Sequence, residues 1–465
     1  MRLSEYHRIY LIGIGGIGMS ALARWFASRG QQVAGYDRTS TPLTNQLIAE
    51  GIHIHFDDNP ALIDESFTSE PERTLVIYTP AIPSTSLELA YFKERGFKVE
   101  KRSKILGIIT KELPTIAVAG THGKTTTSAM VAHILHAAGQ PCVAFVGGIT
   151  QNYATNLIIS GEDSDRLIAV VEADEYDRSF LQLNPDVAIL TSVDADHLDI
   201  YGSADELLNN YNSFLGKVKS KGRIVLQNSL LPQVTLPKGN ISLTTYGQEE
   251  GETKALDIKA DADAFTFDLV SEDFSLPHLR LAMPGYHNVE NATAAAIACF
   301  HFGITPHQIR SGLESFMGVK RRFEILISTP ATVFIDDYAH HPTEIEALIS
   351  SVRKLYPGRH ITAIFQPHLF SRTRDFAAGF GRALSLANRV LLLDIYPARE
   401  LPIPGVNSAM LLPYISVPDV QLTSLDSAVA LLTSQPTSVV LTIGAGDISR
   451  IVPLITRALS PTPAA

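Results

Sequence analysis

The chain has 465 residues, 45% of them hydrophobic and 18% charged, which suits a globular protein with several cores and excludes a disordered one. Its net charge of −10 disfavours broad nucleic-acid binding, which needs a dominant positive field. The two cysteines, Cys142 and Cys299, cannot make a disulfide framework, and their apolar neighbours mark them as buried thiols.

The charged segment Met1–Tyr10 runs directly into a strand at Arg8–Ile12, without the form of a signal peptide. A glycine turn and a helix through about Ser28 follow, then strands at Val33–Tyr36 and Leu75–Tyr78. Such alternation predicts a parallel sheet covered by helices. A second unit opens with a strand at Thr115–Ala119, a glycine loop and a helix from about Lys124 to Ala138. Further strands are expected at Cys142–Val146, Leu167–Val171, Val187–Thr191 and Arg223–Leu226, and short alternating strands over about Ile241–Leu281. A helix rich in alanine spans about Asn288–Phe302. The alternation restarts at Thr332–Ile335 and continues at Ile361–Phe365, Val390–Leu393 and Val439–Ile443, which predicts a third doubly wound unit. We expect an α/β protein of three domains: a Rossmann-like domain at 1–106, a P-loop domain at 107–318 and a Rossmann-like domain at 319–465. No apolar run approaches the ~18 residues of a membrane span, so a soluble, cytoplasmic protein is expected.

The first glycine motif is Gly13-Ile14-Gly15-Gly16-Ile17-Gly18, after a strand and before a helix. Gly13 permits the turn, Gly15 admits a diphosphate to the backbone, and Gly18 allows close helix packing. Asp37, at the end of the next strand, stands where a ribose contact is expected. Alone, this motif suits an NAD-dependent dehydrogenase, or a glycine turn with no ligand. The second motif, Gly120-Thr121-His122-Gly123-Lys124-Thr125-Thr126-Thr127, changes that reading. Such a loop cradles phosphates with its amides, its Lys reaches the terminal phosphates, and a Thr hydroxyl ligates Mg²⁺. Val118 replaces the first glycine of the general G-x-x-x-x-G-K spacing.

A metal on those phosphates needs oxygen ligands, and two acidic runs follow buried strands: Glu172-Ala173-Asp174-Glu175 and Asp194-Ala195-Asp196-His197-Leu198-Asp199. Thr125, Glu172 and His197 are the preferred metal ligands; a solvated turn is the plainer reading of either run. Gly285-Tyr286-His287-Asn288-Val289-Glu290-Asn291 starts a helix that could address a purine edge, with Asn288 as a simple cap. The run Asp336-Asp337-Tyr338-Ala339-His340-His341-Pro342-Thr343-Glu344 offers carboxylates to a ribose and imidazoles to an anion; its His-Pro-Thr-Glu portion also reads as a helix entry, which would make one histidine structural. Arg322, in the basic run Lys320-Arg321-Arg322, could close onto phosphates, and Arg372 and Arg374 could clamp a carboxylate.

In order and spacing these seven motifs resemble the Mur ligases, cytoplasmic enzymes of bacterial peptidoglycan precursor synthesis, over essentially the whole chain. The resemblance implies ATP-dependent joining of L-alanine to the lactyl carboxylate of UDP-N-acetylmuramate through an acyl phosphate. A peptide-recycling ligase of the same family is the alternative. It implies UDP, not NAD, on the first loop, through Gly13, Gly15, Gly16, Ile17, Gly18, Ser20 and Asp37, with His340 and Arg372 as further substrate contacts. ATP would be held by Gly120, Thr121, His122, Gly123, Lys124, Thr125, Thr126, His287, Asn291, Arg322 and one of Asp336 and Asp337. Lys124, His197 and Arg322 would act in catalysis, with two Mg²⁺ ions on Thr125, Glu172 and His197. The partners implied are UDP-N-acetylmuramate, L-alanine and ATP, in a monomer or weak homodimer without nucleic acid. The chain departs from the family's pattern at Leu369, where an Arg is common, and at Thr79-Pro80-Ala81-Ile82, where Ser-Ser-Ala-Ile is usual.

Overall fold

A computed structural model describes residues 1–161, 166–196, 198–261, 264–398, 400–435 and 437–460. It divides into two compact units: Met1–Lys254 with Ser271–Phe274 and Asn291–Leu313, and Ala255–Val270 with Ser275–Glu290 and Glu314–Ala465.

The first unit contains two parallel-rich sheets. The strands of one are Arg8–Ile12 (β1), Gln32–Tyr36 (β2), His53–His55 (β3), Thr74–Tyr78 (β4) and Lys98–Lys101 (β5), in the order β3-β2-β1-β4-β5. All its pairings are parallel, and β1 lies where the strand order reverses, so the loop after β1 opens at the switch point where such sheets bind ligands. Helices Ile17–Ser28 (α1) and Arg102–Glu112 (α2) begin at the carboxyl ends of β1 and β5.

The second sheet holds Thr115–Ala119 (β6), Cys142–Phe145 (β7), Leu157–Ser160 (β8), Ile168–Glu172 (β9), Val187–Leu190 (β10), Arg223–Gln227 (β11) and Ser242–Gly247 (β12). Their order within the unit is β12-β11-β10-β6-β9-β7-β8, with only β8 antiparallel to its neighbour. Every residue of β6 is buried, as its run Thr-Ile-Ala-Val-Ala requires of a central strand. Helix Lys124–Ala137 (α3) packs behind it, buried almost all round. The pairs Val118↔Glu172 and Ala119↔Leu190 set the carboxyl ends of β6, β9 and β10 side by side, so the loops that follow converge.

One apolar core joins the two sheets, running from Ile9, Leu11 and Phe26 through Ala117, Val143 and Phe145 to Tyr211 and Phe214. Trp25 of α1 meets Phe145 of β7 edge-on, 6.1 Å between centroids. The polar counterpart is Asn156, fully buried: its Nδ2 donates to the Ile17 carbonyl and, at 2.9 Å, to Ser20 Oγ, and its Oδ1 accepts from Arg24. Arg24 is itself paired in bidentate fashion with Glu50 at 2.8 and 2.9 Å. The glycine-loop helix is thereby fixed to the second sheet. Cys142 and Cys299 are buried free thiols, as expected.

In the second unit, Ala264–Val270 and Ser275–Leu281 form an antiparallel hairpin. Its main sheet contains Glu324–Ser328 (β13), Val333–Asp337 (β14), Ile361–Phe365 (β15), Arg389–Leu392 (β16), Asp419–Leu422 (β17) and Val439–Ile443 (β18), in the order β13-β14-β18-β15-β16-β17. Only β13 is antiparallel. This strand was not expected from the sequence. Nor was the length of β14: Asp336 and Asp337, read as following the strand, are its last two residues, in register with Thr442 and Ile443. Among the described residues no helix is long and apolar enough to cross a membrane.

Candidate active site

The turn after β1 is built as its glycines predict. Gly13 has φ +84°, and the amides of Gly13 and Ile14 both donate to the Tyr36 carbonyl, at 2.7 and 3.1 Å. A Cβ on Gly13 would lie 2.7 Å from the Thr79 methyl, so only glycine fits. Asp37 is brought to this loop: its Oδ2 accepts from the Gly15 amide at 2.8 Å and its Oδ1 from the Thr39 amide at 3.1 Å. Ser20 stands in the first turns of α1. It is fully buried, its hydroxyl donates to the Ile17 carbonyl at 2.9 Å and accepts from Asn156, and it locks α1 onto the second sheet.

The phosphate-type loop after β6 shows the same economy. Gly120 and Gly123 have φ of +128° and +82°, and Gly123 precedes the first turn of α3. A Cβ on Gly123 would lie 2.5 Å from Asn291 Oδ1, so the side chain of Asn291 closes over the loop. Thr121 Oγ1 donates to the Asp194 carbonyl at 2.7 Å, and the His122 amide donates to Ser192 Oγ at 2.8 Å. The His122 ring lies 3.0 Å from Asp194 Oδ2. Thus the Asp194 run serves partly as the outer wall of the loop. His197 lies outside the described residues.

Lys124 turns back across its own loop. Its Nζ donates to the Gly120 carbonyl at 2.7 Å and lies 2.8 and 2.9 Å from the two oxygens of Glu175. Burial opposes the ammonium charge, but Glu175, Asp174 and Glu172 outweigh it and raise the Lys124 pKa above its usual value. Glu175, only 2% exposed, was not singled out in the sequence, because nothing local distinguishes it from its acidic neighbours.

Thr125 Oγ1 donates to Glu172 Oε1 at 3.0 Å, and Glu172 Oε2 accepts from the Gly147 amide at 2.9 Å. A hydroxyl and a carboxylate in contact at the head of α3 form a hard oxygen pair that fits Mg²⁺, provided phosphate and water oxygens complete the shell. Among the described residues no group of three or more His, Cys, Asp or Glu could hold a metal alone.

A cavity of about 260 Å³ lies beside the first glycine loop. It is lined by Gly16, Ile17, Gly18 and Met19, by Thr79, Arg102 and Leu106, and by Phe145, Val146, Gly147, Glu172 and Asp174. The diphosphate-type loop and the metal-type carboxylate therefore open into one space, which no sequence spacing reveals.

In the second unit the acids are engaged. Asp336 accepts from Thr442 Oγ1 at 2.7 Å and from Arg321 Nε at 3.2 Å. Asp337 accepts from the amides of Phe323 at 2.6 Å and Ala339 at 2.7 Å; burial pushes its carboxyl up to about 6 against the opposing charge of Arg322. One oxygen of each acid, Asp336 Oδ2 and Asp337 Oδ2, ties the turn Arg321–Phe323 to β14. That turn carries positive φ at Arg321 and Phe323. Arg322 lies over the Tyr338 ring, 5.0 Å from its centroid, and 3.9 Å from Glu344.

Of the two histidines, His341 is the structural one: it caps Pro342–Leu355 by accepting from the Thr343 amide, and Glu344 completes a capping box. His340 Nδ1 instead meets the Tyr338 carbonyl at 3.0 Å, and its ring lies 6.0 Å from that of His368. Arg372, 5% exposed, lies 3.2 Å from His368 Nδ1, whereas Arg374 is exposed and pairs with Asp375. His340, His368 and Arg372 thus form one cluster. His287 packs against Gly285, where a Cβ would lie 2.6 Å from the imidazole.

The chain matches the Mur ligase family catalytic domain over residues 8–113, the Mur ligase middle domain over 118–299 and the Mur ligase glutamate ligase domain over 321–446. It belongs to the Mur ligase family. This Mur ligase is 47% identical to a UDP-N-acetylmuramate–L-alanine ligase of Cytophaga hutchinsonii, over 97% of both chains. It is also 47% identical to one of Porphyromonas gingivalis, over 96% of this chain and 97% of that one. Its fold matches the crystal structure of UDP-N-acetylmuramate-alanine ligase from Thermotoga maritima with a TM-score of 0.80 and 27% identity, over 97% and 98% of the two chains. A murein peptide ligase from Psychrobacter arcticus shares the fold at a TM-score of 0.69 and 23% identity. The architecture is the three-domain α/β arrangement of this family.

Proposed function

We propose that this Mur ligase joins L-alanine to the lactyl carboxylate of UDP-N-acetylmuramate at the expense of ATP, in bacterial peptidoglycan precursor synthesis. The single observation that carries the reading is the shared cavity: a loop shaped for a diphosphate and a carboxylate paired with a phosphate-loop threonine face the same space. Relatives named for this reaction, nearly half identical over the full length, give it its substrates.

The chemistry follows from what a carboxylate lacks. It has no good leaving group, so the γ-phosphoryl group of ATP is transferred to its oxygen, giving ADP and an acyl phosphate. The neutral amine of L-alanine attacks the acyl carbon, and the tetrahedral intermediate expels phosphate. Loop amides from Gly120 to Thr126 would cradle the phosphates of ATP, and Lys124 would leave Glu175 for the β- and γ-oxygens, countering the charge of the transferring group. Thr125 and Glu172 would hold one Mg²⁺, whose charge neutralises phosphate oxygens when bound. A second ion would belong to His197. Asn291 closes the loop from above, and His287 would address the adenine. Arg322 would add a guanidinium to the phosphates, while His340 and Arg372 would receive the substrates' anionic groups. The domain limits 1–106, 107–318 and 319–465 are proposed with this division of labour. A cytoplasmic site of action and a monomer or weak homodimer complete the reading.

Phosphate release tests it. In the presence of ATP, Mg²⁺ and UDP-N-acetylmuramate, L-alanine should elicit release and a murein tripeptide should not. Release with the tripeptide alone would make this a recycling ligase, and no release with either would sink the ligase reading.

A further inference from the structure

The diphosphate-type loop contains no basic side chain of its own, yet its ligand in the proposed reaction carries two negative charges next to two carboxylates. Glu172 and Asp174 line the same cavity and would repel such a ligand. Arg102 lines it as well. It begins α2, directly after the edge strand β5, and is the cationic side chain among the residues that line the cavity. Its Nη1 reaches the first turn of α1, where it would lie 2.5 Å from a Cβ on Gly18. Its Nη2 lies 3.5 Å from Asp174 Oδ2, the outer limit of a hydrogen bond, with 18% of the side chain exposed. The guanidinium is thus aimed at the head of a twelve-residue helix and loosely steered by one acid.

We propose that Arg102 is a substrate-binding residue that grips the diphosphate of the sugar nucleotide. This rests on the reading of the first loop as a UDP site. The helix N-terminus supplies partial positive charge and amides, and Arg102 supplies the full counter-charge and a planar fork matched to phosphate oxygens. The absence of a Cβ at Gly18 then has a second meaning: it makes room for the guanidinium.

The test is calorimetric titration of the full-length protein with UDP, with UDP-N-acetylmuramate, with uridine and with ATP. For Arg102→Ala and Arg102→Gln, UDP and UDP-N-acetylmuramate should weaken by the same factor, roughly tenfold to a hundredfold. ATP and uridine binding should stay unchanged, which also reports an intact fold. Arg102→Lys should recover part of the loss, and Asp174→Asn should leave UDP affinity unchanged or higher. If UDP binding survives in Arg102→Ala while UDP-N-acetylmuramate weakens, the residue holds the lactyl carboxylate and the proposal fails. If Asp174→Asn reproduces the loss, Arg102 is only a latch between two elements, and the proposal fails again. A wild-type chain that binds no UDP would overturn the underlying UDP reading itself, a result distinct from either.

Discussion

Lys124 and Glu175 hold each other inside the phosphate-type loop, with Nζ 2.8 Å from Oε2 and 2.9 Å from Oε1, although both side chains are largely shielded from water. A buried lysine keeps its charge only beside such a partner. The same pair is a restraint, because Lys124 must exchange Glu175 for phosphate oxygens when nucleotide binds.

Replacing Lys124 with Ala should lower kcat by roughly 10²- to 10³-fold, the scale of losing one strong donor to a transition-state anion. It also strands Glu175 without its cation, so the melting temperature should fall. Single-turnover phosphate release and thermal denaturation measure the two effects separately. Full activity in Lys124→Ala would overturn the assignment of the loop.

Glu175→Gln removes the competitor while keeping the volume. Nucleotide affinity should rise severalfold, since Lys124 no longer abandons a carboxylate in low dielectric. ATP titration against the wild type decides this, and weaker binding would mean that Glu175 supports Lys124 in the bound state too.

Glu172→Gln should raise the Mg²⁺ concentration needed for half-maximal activity and leave UDP affinity unchanged. The neutral amide is a far weaker ligand for a hard dication, although it can still meet Thr125 and Gly147. A Mg²⁺ titration of phosphate release is the measurement.

Asn156→Ala should destabilise the first unit by about 1–3 kcal/mol, because it removes buried hydrogen bonds to the Ile17 carbonyl, Ser20 and Arg24. The urea midpoint should drop with no change in its slope. Affinity for the sugar nucleotide should fall as well, since the position of α1 depends on this amide.

A pH dependence should arise around Tyr10. Tyr10 Oη lies 2.8 Å from both Glu88 Oε2 and His55 Nε2, so one hydroxyl proton faces two acceptors. Burial raises the Glu88 carboxyl from 4.5 to about 7, and burial also lowers His55. A carboxyl raised in the folded state gives stability that is complete below its unfolded pKa and lost as pH climbs through about 7. Urea denaturation at about pH 6 and about pH 8 should show the loss in the wild type and a much flatter response in Glu88→Gln.

The chemistry-bearing motifs were legible because each is a local backbone device. A glycine at Gly13, Gly120 or Gly123 announces positive φ, and a buried β-branched run such as Thr115–Ala119 announces a central strand. His341, Pro342 and Glu344 announced a helix start by their capping chemistry, and the structure separates that role from His340. Ser20, Asp336 and Asp337 were read by position in a motif, which says nothing of their hydrogen-bond partners in the fold. Each met a buried donor or acceptor that the sequence neighbourhood does not contain.

By itself the sequence determined the main strand–helix alternation, the two phosphate-type loops and the family, since all three follow from short-range periodicity and spacing. The tertiary structure alone decided which acid answers Lys124, which guanidinium stands before the glycine loop, and which amide joins the two sheets. Lys124 and Glu175 lie 51 residues apart in the chain, Arg102 and Asp174 lie 72 apart, and Asn156 and Ile17 lie 139 apart. Local propensity carries no information over such separations, whereas burial makes every unpaired polar group costly, so the folded core selects the pairs.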